Sequence, residues 1–335
     1  MTTGPFANLP GQGFWPLPGT AGPTPSHPGW PQSGGLNGRS SWMTGAGLGP
    51  TVPLMSVPPS ALDPVGQTAQ WVAAARAVES QRPDRLFDDP YAVALAGQDG
   101  ARCLQVLGVS GKPIVDYLAM RTWYLDDLIA SAVGDTGIRQ VVILAAGMDT
   151  RAFRLPWPEG THVYELDRPA VLAVKDAILT KHRAIPSCQR HTIGIDLTLP
   201  WTPALVVAGF QQDLPTVWLT EGLLMYLNPT GVHHLLQTIT ALSAPGSVLG
   251  GDLPNPPAPV RPMPPIYGSQ WTTEQPAKQQ FGTDDLAALL SPYGWQTTTV
   301  TPDDVARQVH RPPVSPFRMP DGNLVHNRLF KAERA

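Results

Sequence analysis

Gln140-Val141-Val142-Ile143-Leu144-Ala145-Ala146-Gly147-Met148-Asp149-Thr150-Arg151 is the stretch on which the fold turns. Its first half is a short apolar run with β-branched residues, the pattern of a strand buried in a parallel sheet. Its second half changes to small residues and then to charged ones, as a turn leaving a strand does. Working downstream, further strands are expected at residues 161–166, 191–195, 216–220 and 247–252, with helices at 169–182 and 229–242 between them. A Pro-rich loop follows over residues 253–281. Thr283 reads as the cap of another helix, whose first turn would carry Asp284 and Asp285 in favourable alignment with the helix dipole. Strands at 295–300 and 324–331 close the series. This alternation predicts an α/β fold built on an open, mostly parallel sheet wound on both faces, and no internal repeat interrupts it.

Working upstream, Thr68 reads as an N-cap for an alanine-rich helix over 71–80, broken at Pro83-Asp84. A long helix is expected over 113–133, where Pro113 suits the first turn and Ile114, Leu118, Leu125 and Leu128 form an apolar stripe. Residues 1–64 differ from everything after them. They are rich in Pro and Gly, and Arg39 is the one charged side chain before Asp63. They read as an extension, either a disordered tail or a flap near the active site in which Trp15, Trp30, Trp42 and Leu54 dock on the domain. The expected division is therefore the extension over 1–64 and one domain over 65–335, with a helical cap at 65–133 and an acceptor-binding loop at 253–281.

Composition excludes several classes. The formal charge is −3 with 23 basic and 26 acidic side chains, and no basic stripe points to nucleic acid. Cys103 and Cys188 are too far apart in sequence for a metal knuckle or a disulfide framework, which suits a reducing, cytoplasmic compartment. No secretory signal and no bilayer-length apolar run are read, and no His/acid spacing suggests a metal.

In an open parallel sheet, ligands bind beyond the carboxyl ends of the strands, so chemistry should sit just after them. Ala145 and Gly147 form a small-residue turn after the first strand, which lets a ligand approach the backbone, although a plain tight turn looks the same and the three-glycine dinucleotide spacing is absent. Glu165 and Asp167 both end the second strand, and either can receive ribose hydroxyls. Asp196 and Leu197 end the third, where an acceptor and an apolar cover would suit an adenine. Glu221 follows the fourth, deep enough to require a cationic partner. Arg121 interrupts the apolar stripe of its own helix, so it needs an anion: an internal acid, or the carboxylate of a bound amino-acid group. His233, His234 and Tyr226 lie near enough to be considered as catalytic bases.

Taken together, these residues resemble one family. Thr68-Ala69-Gln70-Trp71-Val72-Ala73-Ala74-Ala75-Arg76, Leu86 to Ala92, Arg121 to Asp127, Ala145 to Leu155, Tyr164 to Asp167, Gly194 to Leu197 and Glu221 to Leu227 resemble the methyltransferases related to leucine carboxyl methyltransferase. The likeness is to their bacterial branch, known as polyketide O-methyltransferases. The resemblance covers residues 68 to 250 and implies a seven-stranded, Rossmann-like methyltransferase sheet under an N-terminal helical lid. It also implies S-adenosylmethionine as methyl donor. By resemblance, Arg121 holds the donor's carboxylate, Ala145 and Gly147 form the turn beneath it, and Asp167 rather than Glu165 takes the ribose. Asp196 and Leu197 fall on the adenine side, Glu221 beside the amino-acid end, and Arg76 on a basic position of the first helix. Two departures stand out. Ala145 replaces the family's first glycine, and Thr198 stands where protein-methylating members carry an arginine for the acceptor carboxylate.

The expected reaction is methyl transfer to a carboxylate or hydroxyl oxygen of a small molecule, in natural-product biosynthesis, with Tyr226 and His233 as candidate catalytic residues. The competing readings are a nicotinamide-dependent oxidoreductase, a non-catalytic adenosyl-ligand-binding protein, and an interaction module working through the proline-rich stretch.

Overall fold

The computed structural model describes residues 64–107, 112–255, 281–318 and 324–335. The extension expected over 1–64, save its last residue, and most of the loop expected over 253–281 lie outside the described residues.

Three helices come first: α1 (Pro64–Ser80), α2 (Ala92–Leu107) and α3 (Lys112–Gly134). Strands and helices then alternate as β1 (Gln140–Leu144), α4 (Arg151–Arg154), β2 (His162–Asp167), α5 (Pro169–Lys181), β3 (Gln189–Gly194), α6 (Thr202–Val207) and β4 (Thr216–Thr220). A 3-10 turn (Leu224–Tyr226) leads to α7 (Pro229–Ala241) and β5 (Val248–Pro254). The chain ends with α8 (Leu286–Leu290), β6 (Trp295–Val300), α9 (Pro302–Gln308), β7 (Phe317–Arg318), β8 (Leu324–Val325) and β9 (Asn327–Arg334). Seven strands form one sheet in the order β3-β2-β1-β4-β5-β9-β6. β1 to β5 are parallel, and β9 is inserted antiparallel between β5 and β6. The expected doubly wound, mostly parallel sheet is therefore the observed one.

The two-residue period of β1 shows how the sheet is covered. Val142 and Leu144 enter a core shared with Leu205 of α6 and Leu235 and Ile239 of α7. Val141 and Ile143 enter a second core with Leu125, Leu128 and Ile129 of α3. Both faces are dry, which is why the run reads as continuously apolar. Gly250 in β5 lets α3 approach closely: a Cβ there would stand 2.8 Å from Leu128 Cδ1.

Several boundaries differ from the sequence expectation. α1 begins at Pro64, so Thr68 lies inside the helix rather than capping it. Thr283 does not cap α8. Its hydroxyl accepts the Asp285 N–H (3.1 Å), and Asp285 is the cap, accepting the Ala288 N–H (2.8 Å). The single strand expected over 324–331 is two, β8 and β9, separated at His326. The short helices α4, α6 and α9 and the kinked α2 were not anticipated.

Glu165 is wholly buried in the middle of β2, with Lys175 Nζ at 2.8 Å and Arg190 Nη2 at 2.7 Å. Such a triad tolerates loss of a partner poorly, because the remaining charge stays buried. Lys175→Met is expected to destabilise the protein by about 3 kcal/mol in denaturant melts, and Lys175→Met/Glu165→Leu to recover part of that. A loss below about 1 kcal/mol for the single variant would show that Arg190 alone neutralises Glu165.

Candidate active site

The strand order reverses between β1 and β4, and the polar residues of interest gather at the carboxyl ends of the strands around that point. The turn after β1 is shaped by two left-handed residues, Ala145 (φ 55°) and Gly147 (φ 46°). Gly147 is required twice over. Its conformation favours glycine, and a Cβ there would lie 2.9 Å from Ala69 Cβ of α1, which packs down on the turn. Ala145 holds the same kind of conformation without that freedom, a strain of about 1–2 kcal/mol. The Gly147 N–H donates to Asp167 Oδ2 (2.6 Å), and the Arg168 N–H donates to Oδ1 (2.7 Å). Burial raises Asp167 above the ordinary carboxylate range, against those two donors.

Glu165 and Asp167 share a face of β2 but not a depth. Glu165 pairs through Oε2 with both Lys175 and Arg190 in the sheet interior, while Asp167 sits at the strand end against the turn. Asp196, one strand over, is exposed. Its Oδ1 accepts both the N–H (2.9 Å) and the hydroxyl (2.7 Å) of Thr198, which lower its pKa, while Leu197 packs half-buried against the core.

Arg121 finds internal partners. Its Nε lies 2.9 Å from Glu221 Oε1, and its Nη1 donates to Asp252 Oδ2 (3.2 Å). Asp252 is fully buried near the end of β5 and also receives the Tyr117 hydroxyl (2.5 Å) and the Gly222 N–H (2.7 Å). Gly222 is left-handed (φ 60°), and a Cβ there would lie 3.3 Å from Arg121 Nη1. Asp252 was missed in the sequence, although the rule that picked out Asp167, Asp196 and Glu221 at strand ends applies equally to β5.

Arg151 was also missed. It is 2 % exposed and reaches three acids: Nε to Asp126 Oδ1 (2.7 Å), Nη1 to Glu221 Oε2 (2.7 Å), and Nη1 to Asp149. Arg154 grips Asp126 from the other side (2.6 and 2.8 Å). Glu221 is thus held between Arg151 and Arg121. Burial alone would raise it, but the two guanidiniums win and hold it below the usual range. Arg76 belongs to an adjoining cluster: its Nε meets Asp89 (2.8 Å) and its Nη2 donates to the Met148 carbonyl (2.6 Å), so it braces the β1 turn from α1.

Of the three residues considered as bases, Tyr226 differs from His233 and His234, which are both exposed on α7. Tyr226 lies on the 3-10 turn close to the cluster, and burial raises its pKa despite Arg121, so near neutral pH it is a hydrogen-bond donor rather than a base. His233 is exposed on α7, its Nδ1 2.7 Å from the Tyr293 hydroxyl, and does not join the cluster. Among the described residues no group of three or more His, Cys, Asp or Glu could hold a metal ion, and no helix is long and apolar enough to cross a membrane.

The site is a largely buried charged cluster at the switch point of a doubly wound α/β sheet, with acids at successive strand ends. The chain itself belongs to the leucine carboxyl methyltransferase family, whose model matches residues 69–240, and it is a methyltransferase by that membership. A relative from Parafrankia sp. (strain EAN1pec), named for S-adenosyl-L-methionine-dependent methyl transfer, is 39% identical over 275 residues, covering 76% of this chain and 84% of that protein. One from Saccharopolyspora erythraea, similarly named, is 47% identical over 193 residues, covering 55% of this chain and 65% of its own length. One from Mycobacteroides abscessus, also so named, is 36% identical over 285 residues, covering 76% and 90%.

Burial would raise Asp149, but Arg151 outweighs it and holds the carboxyl at about 2, below its ordinary 3.8. A depressed carboxylate contributes stability above its unfolded pKa and loses it as pH falls through the folded value. Thermal midpoints should therefore fall as pH drops from about 4 towards about 2, and Asp149→Asn should flatten that slope. Ala145→Gly relieves left-handed strain but loosens the unfolded chain, so its midpoint should hold or rise by the equivalent of about 1 kcal/mol. A clear fall in calorimetry would mean that the Ala145 methyl makes contacts worth more than the strain.

Proposed function

We propose that this chain transfers a methyl group from S-adenosylmethionine to an oxygen of a small-molecule acceptor, a specialised metabolite. The observation that carries this reading is the joint presence, at one switch point, of the Arg121–Glu221–Asp252 cluster and the Gly147–Asp167 turn. The names of the relatives support the donor. When bound, S-adenosylmethionine supplies a sulfonium-activated methyl group for in-line displacement by the acceptor oxygen.

The residues present fit such a donor. The left-handed turn at Ala145 and Gly147, with Ala69 of α1 packed on it at Gly147, is a backbone cradle. Asp167, raised by burial, is poised to accept ribose hydroxyls at the edge of that cradle. Asp196 and Leu197 take the adenine side. Glu221, kept ionised by Arg151 and Arg121, faces the donor's ammonium. Arg121 offers its carboxylate a guanidinium fork, two of whose nitrogens the internal acids already hold in place. Arg76 acts through the turn it braces. Positioning and exclusion of water are the protein's main contribution to such a displacement. The Tyr226 hydroxyl, kept protonated by burial, stands beside the cluster. Thr198 supplies no cation for an acceptor carboxylate, which favours a small molecule over a protein C-terminus.

Calorimetric titration with S-adenosylhomocysteine tests the reading. One-to-one binding is expected, weakened about tenfold to a hundredfold in Arg121→Ala and Asp167→Ala, as loss of a charge-assisted hydrogen bond implies. Absence of binding by folded wild-type protein would overturn it. Tight binding with no turnover of any acceptor would favour the non-catalytic reading.

A further inference from the structure

Glu221 is paired at both oxygens with guanidiniums from different elements. The Nε of Arg121, on α3, lies 2.9 Å from Oε1, and Arg151, the first residue of α4, donates to Oε2 through Nη1 (2.7 Å). The two partners are not equivalent. The donor reading above gives Arg121 to the ligand's carboxylate, so its charge is shared once a ligand arrives. Arg151 is committed to the protein. Its Nε donates to Asp126 Oδ1 (2.7 Å), and its Nη1 also meets Asp149. Asp126 is gripped in turn by Arg154 (2.6 and 2.8 Å). The backbone of Arg151 is fixed as well: its N–H donates to Asp149 Oδ1 (2.7 Å), and its carbonyl accepts the Trp157 indole N–H (2.9 Å). A buried guanidinium anchored on so many sides cannot follow a ligand. What it does is fix the place of Glu221.

The charged groups that act on Glu221 are Arg151 of α4, Arg121 of α3 and Asp149 of the turn after β1. Burial and Asp149 favour the neutral acid, and the two guanidiniums outweigh them, Arg151 the more strongly. A neutral Glu221 has no charge to offer an ammonium group.

We infer that Arg151 is a positioning residue of the donor site: it acts through Glu221, and the site's preference for a ligand whose amino-acid end carries an ammonium group depends on it. This rests on the donor reading above but concerns a residue to which that reading gives no contact with the donor.

Two thioethers that share a nucleoside test it, titrated calorimetrically into the full chain: S-adenosylhomocysteine, and 5′-methylthioadenosine, which lacks the amino-acid group. Both present the same ribose to Asp167, so the ratio of their affinities isolates the amino-acid end. In the wild type that ratio should favour S-adenosylhomocysteine and stay flat from about pH 8 to about pH 6, because Glu221 remains ionised there. Arg151→Gln should lower the ratio about tenfold by weakening S-adenosylhomocysteine, leaving 5′-methylthioadenosine unchanged. The ratio should fall further as pH drops over the same window, since a buried Glu221 with one guanidinium removed takes up a proton. Arg151→Lys, which keeps the charge, should fall between the two. Arg151→Gln/Glu221→Gln should bind no more weakly than Glu221→Gln alone, because a residue that acts through Glu221 then has nothing to act on.

Equal loss of both thioethers, a wild-type ratio and pH profile in Arg151→Gln, or a double variant as weak as the two single losses multiplied overturns the assignment. Should Arg151→Gln fail to fold, Arg151→Lys and the charge-balanced double variant decide by the same ratio. Folded wild-type protein that does not bind S-adenosylhomocysteine sinks the donor reading and this assignment with it. Binding by the wild type with any of the three contrary variant results sinks the role of Arg151 alone.

Discussion

The buried carboxylate of Asp252 receives three donors from three different parts of the chain: the Tyr117 hydroxyl and Arg121 guanidinium from α3, and the Gly222 N–H from the turn after β4. A fully buried charge is tolerable only when it is paired and hydrogen-bonded, so this one dictates where its partners stand. It ties the cap helix to the sheet, sets the left-handed turn that precedes the 3-10 segment, and aims Arg121. The aimed guanidinium then meets Glu221. Change the occupant of that one position and the cap and the β4 turn lose a common anchor.

Around it the charges form an alternating chain. Asp252, Arg121, Glu221, Arg151, Asp126 and Arg154 follow one another through ion pairs of 2.6–3.2 Å. Each acid is paired with arginines that are themselves immobilised. Fixed charges in a water-poor site require no reorganisation when a charged ligand arrives, which is the condition for electrostatic preorganisation. The strained Ala145 belongs to the same economy: a backbone in a sparsely populated region persists because its surroundings over-determine it. Here the surroundings are the Asp167 carboxylate gripping Gly147 and α1 lying on the turn.

Much of the frame was legible in the chain. Strands flanked by dry layers on both sides are apolar throughout, so β1 and β4 announced themselves, and α3 was visible in a stripe long enough to show its period. The short helices α4, α6 and α9, of four to seven residues, were not, because one or two turns carry too little periodicity to stand out. Arg121 was conspicuous as a charge inside an apolar stripe. Its two possible partners, an internal acid or a ligand, could not be separated until Asp252, 131 positions away, was found beside it.

By itself, then, the sequence determined the order of elements, the doubly wound sheet and the strand ends where chemistry would gather, since these follow from local periodicity and from the family likeness of ordered motifs. Only the tertiary structure decided which acids are paired internally and with what. Glu165 and Asp167 differ by two residues and share a face, yet one is paired with Lys175 and Arg190 in the sheet interior and the other meets the turn after β1. His233 was adjacent in sequence but turns outward to Tyr293, whereas Asp252 and Arg151, unremarkable in sequence, complete the cluster. The reason is physical: a charge's role depends on its depth and on the partners that folding brings from distant segments, and neither is encoded in its immediate neighbours.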